Sequence, residues 1–245
     1  MVSFKELNAR VKTEFHFSQQ ERSGLVIAIL FSAFIFSFRD WGTDHFDLAL
    51  GLQNLILTIV IATTSFLFRF SCQKIYGLSK GYKAEFKVWW TGLIIALLLA
   101  FLSAGRLPLI IIGGIVASFM VKYRLGEFRY GFNYNDNAMI GLWGIYGNMI
   151  LAVIFAIGLY FAPQAYFFQK GLIFNIIMAF CSLIPLPQLD GLSIFFGSRS
   201  MYVVGWVIAL LGAILLLSRT KIGLILAITI GSIMGIFYIL IGSEK

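Results

Sequence analysis

Long apolar runs separated by short polar stretches set the pattern of this chain. They lie at Gly24–Phe38, Leu48–Phe68, Trp89–Leu102, Leu107–Val121, Ala138–Phe161, Gly171–Ile184, Met201–Leu217 and Ile222–Ile241. A helix needs about 20 apolar residues to cross a bilayer, so the runs predict about eight transmembrane or re-entrant segments. Trp89–Leu102 and Leu107–Val121 are short for two full crossings; they predict a tight helical hairpin or a partly re-entrant pair. Ahead of the first run, Phe4, Leu7, Val11 and Phe15 recur every three or four residues in an otherwise polar stretch. That spacing predicts a short amphipathic helix over Met1–Arg22, lying on the membrane surface. Because this stretch is polar and the first run starts only at Gly24, no cleavable signal peptide is expected.

Composition sharpens the picture. Hydrophobic residues make up 60% of the 245 and charged ones 12%, with a mean hydropathy of +0.90. An ordinary soluble domain carries about 25% charged residues, so a water-facing globule is excluded and an all-α polytopic membrane protein is expected. The net charge of +8 does not point to nucleic acid, because the basic residues flank apolar runs and face anionic lipid there. Lys5, Arg10, Lys12, Arg22, Arg69, Lys74, Lys80, Lys83, Lys87, Lys122, Arg124, Arg129 and Arg199 fall on one side of the alternating segments. Only Arg39, Arg106, Lys170, Arg219 and Lys221 fall on the other. Cytoplasmic loops collect Lys and Arg, so the N-terminus is expected inside. The ends of the second and sixth runs, near Arg69 and Asp190, then share that side. Cys72 and Cys181 give no disulfide framework, and Trp41, Trp89 and Trp90 read as interface anchors.

One stretch carries candidate chemistry: Ser182-Leu183-Ile184-Pro185-Leu186-Pro187-Gln188-Leu189-Asp190-Gly191. Pro185 and Pro187 remove two backbone donors and break the helix. Asp190 is thereby placed on irregular backbone, which a bilayer tolerates only inside protein or beside water. An acid at that depth marks a functional site; at a helix end by the interface it would simply be solvated. Asn148 and Asn175 are intramembrane amides suited to hydrogen bonds between helices. In Asn133-Tyr134-Asn135-Asp136-Asn137 a solvated turn is expected, with Asp136 or Asn135 capping the next helix.

Pro185-Leu186-Pro187-Gln188-Leu189-Asp190-Gly191 resembles the Pro-x-Pro-x-Leu-Asp-Gly signature of the site-2 protease family of intramembrane metalloproteases. Gly144-Ile145-Tyr146-Gly147-Asn148 looks like that family's Gly-Pro-x-x-Asn segment, with Ile145 in place of the proline. Asn175 lies on the helix leading to the Asp, as in many relatives. Lys74, Gly81 and Ala84-Glu85-Phe86 look like the segment after the zinc-binding helix in archaeal members, and Gly126-Glu127-Phe128-Arg129-Tyr130 like another stretch of that group. The resemblance implies a site-2 protease-like membrane core over 24–199. It leaves an interfacial segment at 1–23 and two further transmembrane helices at 200–245.

Members of that family hold zinc with a His-Glu-x-x-His helix and the Asp of Leu-Asp-Gly, and the Glu activates a zinc-bound water. Counting back from Ala84-Glu85-Phe86 puts those His, Glu and His positions on Arg69, Phe70 and Gln73. The chain's two histidines, His16 and His45, belong to no such motif. A cation, an aromatic ring and an amide do not make a zinc site, so neither metal nor catalytic residue is expected. Arg69 is instead expected to pair with Asp190 through its planar fork, with Gln73 as a further donor; otherwise it reaches to the headgroups. A Cys72–Cys181–Asp190 zinc site is conceivable but would lack a base.

The reading that follows is a catalytically inactive site-2 protease-like protein that binds or scaffolds a transmembrane partner. Its setting would be the plasma membrane of a prokaryote, with lipids around it and no nucleic acid. Two alternatives stay open: an active intramembrane protease using zinc through an unusual ligand set, and a transporter or channel subunit built around Asp190, Asn148 and Asn175.

Overall fold

The computed structural model describes residues 4–42, 45–120 and 133–243, the last ten by backbone alone. Lys122, Arg124 and the Gly126–Tyr130 stretch that resembles archaeal sequences fall outside the described residues. In chain order the elements are α1 (Phe4–Glu14), α2 (Gln19–Ser37), α3 (Leu48–Lys80), β1 (Tyr82–Val88), α4 (Trp90–Leu102) and β2 (Gly113–Phe119). They continue with α5 (Tyr134–Phe161), α6 (Tyr166–Leu183), α7 (Asp190–Gly197), α8 (Arg199–Leu217) and α9 (Lys221–Ser243). The chain is mostly helical. Five helices, α2, α3, α5, α6 and α8, are long and apolar enough to cross a membrane.

That count is lower than the eight segments expected, and the difference lies largely in the pair at 89–121. Trp89–Leu102 yields α4, only 13 residues long. Leu107–Val121 does not form a helix over its second half; Gly113–Phe119 is β2, antiparallel to β1, with Phe86 opposite Ile115. The all-α expectation is corrected here. Along β1, buried Tyr82, Ala84 and Phe86 alternate with the more exposed Lys83, Glu85 and Lys87, which is the period of a strand. Gly113 makes the pairing possible. Its φ is 123°, and a Cβ there would lie 2.1 Å from the Lys87 carbonyl oxygen. An apolar run on its own does not distinguish a buried strand from a helix.

The central helix α3 packs against α2, α5, α6 and β1. It ends at Gly81, whose φ of 84° lets its N–H return to the Gly77 and Leu78 carbonyls. Aromatic rings knit the centre: Phe36 and Phe66 both meet Phe174, and Phe70 meets Phe86 at 4.5 Å between centroids. These contacts tie α2, α3, α6 and β1 into one core.

The start of the chain also departs from its expected form. The single helix predicted over Met1–Arg22 is two, because Ser18 and Glu21 form a capping box that begins α2 at Gln19. Glu21 does more than cap. Its carboxylate, 3% exposed, takes Lys74 Nζ of α3 at 2.8 Å and the Phe86 N–H of β1 at 2.8 Å. Lys74 also donates to the His16 carbonyl and stands 4.8 Å from the centre of the Phe17 ring. The cap of α5 differs as well. Asn133, rather than Asp136 or Asn135, accepts from the Asn135 N–H and holds Asp136 by its own amide.

Removing one member of a buried, hydrogen-bonded ion pair leaves the other charge uncompensated. Glu21→Ala and Lys74→Ala are each expected to cost about 3–5 kcal/mol of stability, read by thermal unfolding of the purified protein in detergent. Glu21→Gln/Lys74→Met, which removes both charges, should cost less than either single change.

Candidate functional site

Asp190 opens α7 directly after the proline-broken stretch. The prolines stop α6 at Leu183, and the chain then turns through Ile184–Leu189 with Gln188 at φ 65°. Gly191 closes this turn against the end of α6. A Cβ on it would lie 2.4 Å from the Leu183 oxygen and 2.5 Å from that of Ile184, so only glycine lets the start of α7 approach so closely. Asp190 is therefore not solvated at an interface; it is 4% exposed and aimed into the bundle.

Its carboxylate meets three donors from two other elements. Arg69 of α3 donates from Nη2 to Oδ2 as a buried ion pair. Gln73, one turn further along α3, donates from Nε2 to the same oxygen at 2.9 Å. The Ile115 N–H of β2 donates to Oδ1 at 3.1 Å. Arg69 and Gln73 are 2% and 0% exposed. A charge so far from water is tolerable only when paired and hydrogen-bonded, and both oxygens are.

Glycines on α5 make room for this cluster. A Cβ at Gly144 would come within 2.6 Å of Gln73 Nε2 and 3.1 Å of Arg69 Cζ; one at Gly141 would reach 3.4 Å from Asp190 Cβ. Gly147 lies against the Arg69 backbone and Cys72. Phe70 faces the aromatic core, against Phe66 and Phe86. Asn175 bridges helices as expected of it, donating to Ser65 Oγ of α3 at 3.0 Å and to the Gly171 carbonyl. Asn148 is buried with neither amide atom hydrogen-bonded; Arg69 Nη1 and Gln73 Oε1 are likewise buried without a partner. Polar atoms thus concentrate on the facing sides of α3 and α5 inside an apolar bundle.

Sequence reasoning did not anticipate two participants. The Ile115 amide is a backbone donor, invisible to any motif, and β2 was itself read as part of a membrane segment. The other is the Glu21–Lys74 pair: the Ser18-x-x-Glu21 spacing is a signal for the helix cap alone, and nothing in the sequence joins Glu21 to Lys74. Together they complete a pattern. Phe86 and Ile115 are cross-strand partners whose N–H groups point out of the two-stranded sheet in opposite directions. Glu21 takes one and Asp190 the other. Lys74 and Arg69, five residues apart on α3, neutralise the two acids.

These residues do not fit zinc, the metal that the sequence resemblance implies. A guanidinium and an amide N–H face the carboxylate where ligand lone pairs would be needed. Among the described residues, no group of three or more His, Cys, Asp or Glu could hold a metal ion. Cys181 Sγ receives the Ile110 N–H, and Cys72 lies beside Gly147 on another face.

Fold and site together define a polytopic helical membrane protein with an acid salt-bridged inside its bundle. In sequence the chain is similar to the protein named Putative zinc metalloprotease MJ0611 of Methanocaldococcus jannaschii, with 26% identity over 181 residues, covering 72% of this chain and 84% of that one. No family model matches the chain, and no solved structure matches it. The likeness is distant and supports at most a site-2 protease-like family.

Breaking the pair from either side should be costly. Arg69→Ala and Asp190→Ala are each expected to destabilise by about 3–5 kcal/mol. A double-mutant cycle in detergent unfolding should return a coupling energy of about 2 kcal/mol or more. Independent, additive effects would contradict the contact.

Proposed function

We propose that the chain is a site-2 protease-like membrane protein that works without cleaving peptide bonds, by holding a transmembrane segment of another protein. The observation that carries this reading is the occupancy of Asp190. Both its oxygens are committed to donors of the chain itself, and the cation beside it is Arg69. The position that a metal ligand would take in the relatives is filled by the charge that repels a metal. Phe70, at the place of the catalytic Glu, is a ring packed in the core and has no proton to exchange. The distant similarity to a protein named as a zinc metalloprotease supports descent from such a scaffold. In this reading Gly144, Gly191, Pro185 and Pro187 preserve the geometry around Asp190 after the chemistry has gone. The N-terminus faces the cytoplasm, the membrane is the plasma membrane of a prokaryote, and the partner is a helix within the lipid.

Two measurements test it. Metal analysis of the purified protein is expected to find well under one zinc per chain. Arg69→His/Phe70→Glu/Gln73→His, which rebuilds the ligand set opposite Asp190, should bind about one. Stoichiometric zinc in the unaltered protein would end the proposal, and a folded triple variant that ignores zinc would remove the positional equivalence behind it. Crosslinking in the native membrane followed by purification should then recover the same membrane protein reproducibly; failure to recover any would count against the binding role.

A further inference from the structure

The end of the molecule away from the Asp190 cluster carries a second candidate site, at the turn between α8 and α9. Arg219 in that turn has φ 52°, a left-handed backbone that costs a residue with a Cβ about 1–2 kcal/mol and usually falls to Gly or Asn. The Arg219 guanidinium nitrogens lie 3.0 Å from the Gln169 side-chain oxygen, in the amide orientation that satisfies both groups. Lys221 follows two residues later, its Nζ 5.6 Å from the centre of the Tyr160 ring. Among the described residues neither cation has a carboxylate within ion-pair distance, whereas Lys170 at the same end is paired with Asp40.

Two cavities run from this turn along the seam of α5, α8 and α9. The first, about 230 Å³, is lined by Leu159, Tyr160, Arg219, Thr220 and Leu224. The second, about 130 Å³, is lined by Met149, Val153, Leu211, Gly212 and Ala227. Leu215 and Leu216 line both, so they form one groove with Arg219 in its mouth, Lys221 over the Tyr160 ring that lines it, and almost purely apolar walls beyond. Volumes of about 230 and 130 Å³ suit a hydrocarbon chain better than a partner helix, which is about 10–12 Å across with its side chains.

We propose that this groove is a specific site for an anionic glycerophospholipid. One hydrocarbon chain lies along Leu215 and Leu216 toward Gly212, and the phosphate sits between Arg219 and Lys221, beside Thr220. The site is independent of whether the Asp190 cluster has any chemistry. Charge at the mouth selects the headgroup, because each Lys or Arg beside an anionic lipid adds about fivefold in affinity; the groove supplies retention common to all lipids.

The full-length protein is purified in mild detergent, incubated with equal amounts of phosphatidylglycerol and phosphatidylcholine, and examined for retained lipid by native mass spectrometry. Phosphatidylglycerol should be retained about fivefold or more over phosphatidylcholine. Arg219→Gln/Lys221→Gln should reduce that ratio to near one while some of both lipids stays bound. Gly212→Leu, which fills the groove, should lower retention of both and leave the ratio of what remains. Arg219→Gly serves as the folding control. It relieves the left-handed backbone, so it should raise or preserve thermal stability while still weakening the preference. Equal retention of the two lipids by the unaltered protein overturns the proposal, as does a preference that survives loss of both cations.

Discussion

Two carboxylates held on opposite edges of one two-stranded sheet, each answered by a cation from a single helix, are the constraint around which this molecule is arranged. Inside a membrane protein the interior offers little dielectric screening, so an unpaired acid would be severely destabilising. Glu21 and Asp190 are placed instead where Lys74 and Arg69 of α3 reach them and where the sheet presents two outward N–H groups. α2, α3, α7 and both strands are thereby fixed relative to one another by charge and hydrogen bonding, not by apolar packing alone. Lipid offers little hydrophobic drive for helices to associate, which gives such polar contacts a large share in setting the arrangement.

The rest of the core serves this arrangement. Glycines at 141, 144 and 147 let α5 come close to the guanidinium and the amide. The double proline releases α6 so that α7 can begin at the acid, and Gly191 allows the turn to shut. The aromatic rings of Phe70 and Phe86 fill the space between α3 and β1. Each of these features makes physical sense as support for a buried acid, whether or not the site once held a metal.

Much of this was legible in the sequence, for identifiable reasons. Helices α2, α3, α5, α6 and α8 were visible because a lipid environment demands long apolar runs and the chain has few ways to disguise them. Asp190 stood out as an acid beside two prolines. The resemblance to the site-2 protease family nominated Arg69 and Gln73 as its neighbours, because counting back from Ala84-Glu85-Phe86 puts that family's two His positions there, four residues apart on one helix face. The two-stranded sheet was hidden because Gly113–Phe119 is apolar and reads equally well as part of a helix. The contribution of Ile115 could not be read at all: it comes from a main-chain amide that every residue type but proline possesses. Glu21 was overlooked because its capping role at Ser18 was masked by the amphipathic spacing that runs through Met1–Arg22.

The sheet has one more consequence. An exposed strand edge normally invites another extended chain to add to it. Here a visiting strand on either side would have to evict an internal acid from its amide and strand the basic group behind it. The two-stranded sheet is thus blocked at the Phe86–Ile115 rung, so an added strand could not pair along the whole of either edge.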